Sequence, residues 1–162
     1  MTMTLFWFPL AAASAHIFEE FVWPGGFTAW YSSYIPDISK SVSPRFLLWV
    51  NVALLFGCLS VAVDEKASFG PAFFLVMCTL LAVNGVFHLR ATVRTRRYSP
   101  GVITGTLIYI PLAVYGYWTL MASHRVSVGI ALLAAVIGSS YHFLSLANHR
   151  RRAQRRSIPA VR

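Results

Sequence analysis

The sequence predicts an all-α fold, a polytopic membrane helix bundle of five transmembrane helices, and three observations predict it. Apolar residues make up 57% of the 162-residue chain and charged residues only 12%, where a soluble domain carries about 25% charged residues. Five stretches are long enough to cross a hydrocarbon layer of ~30 Å, and none of them contains Lys or Arg. Neither strand alternation nor an Asn-Gly hairpin signal competes with this pattern.

In order, the spans run approximately from Leu5 to Val22, Phe46 to Val63, Phe69 to Leu89, Val102 to Met121 and Val126 to Ala147. Residues 1–148 are expected to form one transmembrane domain. Residues 149–162 are expected to form a disordered basic cytoplasmic tail that hugs anionic lipid. Orientation follows from the cations, which favour the cytoplasmic side. With the C-terminus cytoplasmic, only Lys66 and Arg125 of the 14 Lys and Arg residues lie outside. Lys40, Arg45, Arg90, Arg94, Arg96, Arg97 and the tail arginines, Arg162 included, lie inside, and the N-terminus is expected outside. The protein is therefore expected to be a multi-pass protein of the cell membrane. The net charge of +9 does not indicate a nucleic-acid partner, because such proteins gather their cations on a folded polar face.

Two short features carry little weight. Ala13-Ser14-Ala15 resembles a signal-peptidase site, but no positive n-region precedes it, and cleavage would discard a hydrophobic stretch that continues into His16. Cys58 and Cys78 have no paired spacing and read as small apolar residues.

The polar residues inside the spans are the informative ones. A charged carboxylate at mid-helix costs about 2.5–3.5 kcal/mol on insertion scales, yet the first span ends in His16-Ile17-Phe18-Glu19-Glu20. These carboxylates must be protonated, drawn to the interface, paired with histidine or Arg90, or bound to a cation. His16 and Glu20, four apart, stack on one helix face, with Glu19 on its flank. Asn84 and His88 are also four apart, near the inner end of the third span. His142, Asn51, Thr104 and Thr106 fall at a similar depth, within roughly 10 Å of the inner interface at ~1.5 Å per residue. A lone intramembrane His is more often a helix–helix hydrogen-bond partner, a reading that suits His142 and Asn51 taken singly. Two Glu and three His at one depth favour a functional site.

His16, Glu19 and Glu20 match the motif of the HXXEE domain proteins, which the chain resembles over about residues 16 to 145. Asn84 with His88, the run Arg97-Tyr98-Ser99-Pro100-Gly101 followed by Thr104, and Trp23-Pro24-Gly25-Gly26-Phe27 with Trp30 carry the same resemblance. It implies a multi-span membrane protein with an enzymatic role and no assigned reaction or substrate. The Ser99-Pro100-Gly101 turn also has a physical reading. It starts a helix whose free N–H groups suit an anion or a polarised carbonyl. The aromatic segment from Trp23 to Arg45, broken by Pro24, Pro36 and Pro44, is expected to lie along the interface as an anchor or as a lid over the site.

The first functional expectation is a metal-dependent membrane enzyme. His16, Glu20, His88 and His142 would hold a divalent ion, zinc or iron. Glu19 would act as general base, with Glu20, Asn84 and Ser99 completing the catalytic set. Its partners would be the lipid bilayer and a hydrophobic small-molecule or lipid substrate with a polar group, hydrolysed near the inner interface. The alternatives are a metal-free acid–base isomerase or cyclase of sterol or terpene type, and a non-enzymatic proton-coupled carrier or lipid-binding protein. Five spans without an evident repeat argue against common transporter designs. The sequence leaves the oligomeric state open.

Overall fold

The computed structural model describes residues 3–39 and 42–157. Lys40, Arg162 and the rest of segment 158–162 lie outside the described residues. A 3₁₀ turn, Met3–Trp7, leads into α1 (Phe8–Phe21). Two short helices follow, α2 (Phe27–Tyr34) and α3 (Pro36–Ser39), and then α4 (Pro44–Val63) and α5 (Gly70–Thr95). The next helix is continuous from Val102 to Ala122. It comprises α6 (Val102–Thr104), a π-helical turn (Gly105–Tyr109) and α7 (Ile110–Ala122). The last is α8 (Val128–Ser157). There is no strand among the described residues.

Proline sets several of these boundaries. Pro36 begins α3, while Pro44, Pro71 and Pro9 sit in the first turns of α4, α5 and α1, where the missing N–H costs nothing. Ser43 caps α4 by accepting the Phe46 N–H at 3.2 Å.

Four helices are long and apolar enough to cross a membrane: α4, α5, the helix Val102–Ala122, and α8 over Val128–Arg152. The first expected span is not among these four. α1 has 14 residues, about 21 Å of helix, and the 3₁₀ turn Met3–Trp7 runs directly into it. The Pro24-Gly25-Gly26 break follows it. Four of the five expected spans are thus candidates by length and apolarity, and the crossing by the first stays an expectation. An outside N-terminus stays an expectation tied to that crossing, because an even number of crossings returns the chain to its starting side.

Of the tail expected to be disordered, residues 149–157 are helical, and the rest lies outside the described residues. α8 continues as helix through Ser157. Residues 149–157 contain neither Gly nor Pro, Arg, Ala and Gln are good helix formers, and cations suit a helix C-terminus.

α5 is the centre of the bundle, packing on α8, α7, the π turn, α4, α1 and α6, while α1 lies against α4. Phe74, Leu75, Cys78 and Leu81 of α5 are buried, with Phe6 packed on Phe74 at 4.9 Å. Cys58 and Cys78 are free and buried. At Gly85 the backbones of α5 and the π turn touch, and a Cβ there would lie 2.5 Å from the Gly105 carbonyl oxygen. Only glycine permits that approach. It brings the Asn84–His88 turn of α5 against the start of the helix at Val102, and α1 closes over both.

Candidate functional site

The site forms where α1, α5 and the Ser99–Thr104 segment meet. His16, Glu20 and His88 are 1%, 6% and 1% exposed. One ligand atom from each lies within 4.8 Å of the others. Glu20 Oε1 is 3.1 Å from His88 Nε2 and 3.5 Å from His16 Nε2. The i,i+4 spacing on α1 brings His16 and Glu20 to one face, and the same spacing on α5 presents Asn84 and His88 to them. Asn84 Nδ2 is 2.9 Å from His16 Nε2. Neither Arg90 nor any other Lys or Arg pairs with these carboxylates among the described residues.

Glu19 turns the other way. Its Oε1 accepts from the Tyr98 hydroxyl at 2.7 Å and from the Gly101 and Ile103 N–H groups at 3.1 and 3.0 Å. Its Oε2 accepts from the N–H and hydroxyl of Thr104 at 2.7 and 2.5 Å. The helix N-terminus read from Ser99-Pro100-Gly101 does hold an anion, and that anion is the chain's own Glu19. The remaining early N–H, that of Val102, goes to the Ser99 carbonyl at 2.9 Å. With both oxygens committed to five donors, Glu19 has little capacity left for a proton, so the general-base role expected of it does not fit this geometry.

The hydrogen bonds define how the imidazoles are held. Thr104 gives its single hydroxyl proton to Glu19, so at 2.8 Å from His16 Nδ1 it can only accept. His16 therefore carries a proton on Nδ1, and its Nε2 faces Asn84 Nδ2 at 2.9 Å and Glu20 Oε1 at 3.5 Å. His88 Nδ1 meets the Ser99 hydroxyl at 2.8 Å. That hydroxyl can rotate to donate or accept, so His88 Nε2 can present either a proton or a lone pair to Glu20.

Gly101 makes this closeness possible. Its φ of +97° suits glycine, and a Cβ there would lie 2.7 Å from His16 Cε1. Outside the spans, burial and the bond to Glu19 hold the Tyr98 phenol well above its ordinary pKa of about 10.

α2 covers the site with aromatic rings. Trp30 stacks on His88 with centroids 5.6 Å apart at 28°, and Phe27 lies 6.1 Å from the same ring. Trp23, grouped with Trp30 in the sequence, is 72% exposed and takes no part in this cover.

His142 is not brought to the cluster. It shares the depth but not the face, and its Nε2 sits 3.3 Å from the Leu80 carbonyl oxygen, as a helix–helix partner would. One residue escaped the sequence reading. Tyr109 is fully buried, its ring 4.5 Å from that of His16, and its hydroxyl has no hydrogen-bond partner among the described residues. Thr104 and Tyr109 are five apart, which an α-helix places on different faces. The π turn, with its i to i+5 register, lets both touch His16.

Comparison with known proteins agrees with the motif. Residues 7–116 match the HXXEE family, described as a protein of unknown function with HXXEE motif. The chain is also similar to the uncharacterized protein YrkK of Bacillus subtilis (strain 168), with 23% identity over 136 residues. That match covers 77% of this chain and 86% of the relative. No solved structure matches.

Proposed function

From the premise that this chain belongs to the HXXEE family, we propose that it is a metal-dependent membrane enzyme acting on a hydrophobic, lipid-like substrate. The observation that carries this reading is the convergence of His16, Glu20 and His88 on one buried point. Two imidazole nitrogens and one carboxylate oxygen form a donor set suited to zinc or ferrous iron. The residues fit such an ion. His16 Nε2 faces inward, beside Glu20 Oε1, and in the neutral ring protonated on Nδ1 it offers a lone pair. His88 Nε2 does so once its Nδ1 donates to Ser99. Both imidazoles are oriented through their other nitrogen by a hydroxyl, the outer support that metal-binding histidines use. A bound divalent ion would supply Lewis acidity and a water of lowered pKa.

The chain's own residues divide the remaining work. Glu19 anchors the helix that begins at Val102, and through Thr104 it fixes the tautomer of His16. Glu20 would hold the ion through one carboxylate oxygen and accept a proton on the other, since Glu19 is saturated. Asn84, beside His16 Nε2, orients the ligand set or the substrate. α2, with Trp30 and Phe27 against His88, shields the site from water and must move aside for an amphiphilic substrate. The inner membrane interface is the depth at which we place the reaction.

A second reading is favoured by one observation, the line Ser99 Oγ, His88, Glu20 Oε1, with contacts of 2.8 and 3.1 Å. It can pass a proton without a metal, beside aromatic faces able to steady a cation. That arrangement suits an isomerase or cyclase of sterol or terpene type. Elemental analysis of the purified wild type beside His16→Ala and His88→Ala separates the two. About one zinc or iron per chain, lost in both variants, supports the metal enzyme. A metal-free wild type that turns over a lipid substrate supports the proton relay.

A further inference from the structure

A second concavity lies apart from the His–Glu cluster. Phe46 and Val50, four apart on α4, face a stripe of α8 that includes Tyr141, Leu144, Asn148 and Arg152, and between them is a groove of about 240 Å³. The main packing of α8 is on α5, with α3 also against it, and α4 packs on α1 and α5. The two groove walls are thus left unfilled by each other. His149 closes one side by setting its ring edge-on to Phe46 at 4.8 Å.

The groove is graded along its length. From Tyr141 to Arg152 the α8 stripe rises roughly 16 Å, changing from aromatic and aliphatic through an amide to a guanidinium. Leu144 is 62% exposed, although it belongs to a stretch apolar enough for hydrocarbon, Val128–Arg152. Arg152 lies five residues beyond the last apolar residue of that stretch, Ala147, among cations of the kind that sit at headgroup level. Arg152 is exposed and takes part in no salt bridge among the described residues. No Asp or Glu follows Glu65 in the sequence. The volume is below the roughly 300–1,000 Å³ of ordinary small-molecule clefts. It suits an acyl chain better than a compact solute.

We propose that this groove binds one anionic phospholipid, its acyl chain against Phe46, Val50, Tyr141 and Leu144 and its phosphate against Arg152 and Asn148. The site is independent of the His–Glu cluster, which shares none of these residues. Basic pockets between helices at a membrane surface recognise such headgroups, and the apolar walls turn a diffuse attraction into a defined seat.

The test is native mass spectrometry of the full-length protein, extracted in mild detergent and mixed with phosphatidylglycerol or phosphatidylcholine of equal chain length. One phosphatidylglycerol per chain should be retained, at about fivefold or more over phosphatidylcholine. Arg152→Gln should abolish the preference, whereas Arg151→Gln, one residue away and not lining the groove, should keep it. Val50→Trp and Leu144→Trp, which fill the chain's seat, should each reduce retention of phosphatidylglycerol. Equal retention of the two lipids overturns the proposal, as does an equal effect of the two arginine variants. Unchanged retention in both tryptophan variants, with wild-type circular dichroism, also overturns it, as does a second protein chain occupying the groove in place of lipid.

Discussion

Thr104 joins Glu19 to His16: its N–H and hydroxyl both bond Glu19 Oε2, and its oxygen receives the His16 Nδ1 proton at 2.8 Å. The two halves of the motif thus have different tasks. Glu19 builds the scaffold and Glu20 faces the chemistry, with His16 held between them. Replacing Glu19 by Ala strands three backbone N–H groups and two hydroxyls, and should cost roughly 3–5 kcal/mol. Chemical unfolding in detergent measures this, and Glu20→Ala should be the milder change because it removes two side-chain contacts.

Thr104→Val keeps the shape of the side chain and removes the acceptor for His16. Loss of an outer-shell partner of this kind typically lowers metal affinity 10–100-fold. Competition with a chromophoric chelator should show that drop, in protein destabilised by about 1–3 kcal/mol because the buried His16 Nδ1–H loses its acceptor. Ser99→Ala should act similarly through His88.

Gly101→Ala should be disruptive out of proportion to one methyl group. The backbone is at φ +97°, and the new Cβ would meet His16 Cε1 at 2.7 Å. Strain of this kind costs of order 1–3 kcal/mol, and relief requires His16 to move. Metal uptake should fall sharply in protein that still folds. Gly26→Ala, at φ +87° but with nothing within 4 Å of its Cβ, carries similar backbone strain without the His16 contact and should leave metal uptake intact.

Tyr109→Phe removes a buried hydroxyl that has no hydrogen-bond partner among the described residues. Desolvating such a group costs about 1–3 kcal/mol, so the variant should be as stable as the wild type or more so, as thermal denaturation will show. A loss of stability would mean that the hydroxyl has a partner, such as water.

Tyr98 supplies a pH signature. Its folded pKa lies above the ordinary value, through burial and the Glu19 bond. Its contribution to stability is therefore complete below the unfolded value of about 10 and is lost as pH rises through the folded value. Near-ultraviolet titration of the wild type beside Tyr98→Phe should show one fewer late-ionising tyrosine in the variant.

Much of this site was legible because helical spacing is a strong constraint. His16 with Glu20, and Asn84 with His88, could be read as two faces that meet, and the motif fixed which helices carry them. Which of two adjacent carboxylates turns toward the imidazoles was not legible, because it depends on where the helix beginning at Val102 docks. His142 showed the opposite failure: depth along a span is readable, but rotation about its axis depends on packing against Leu80. Tyr109 was hidden by the π turn, which changes the facing rule that sequence reading uses. The division of the first apolar stretch, Leu5 to Val22, into a 3₁₀ turn and the α-helix Phe8–Phe21 was not legible, because apolarity does not report how tightly a helix is wound.

The most direct test of the central claim is titration of chelator-stripped protein with cobalt(II), followed by its visible absorption. Saturation at one ion per chain, with the spectrum lost in His16→Ala, Glu20→Ala and His88→Ala and kept in His142→Ala, is the predicted result. A folded wild type that develops no cobalt spectrum, or a spectrum that survives all three substitutions, would contradict it.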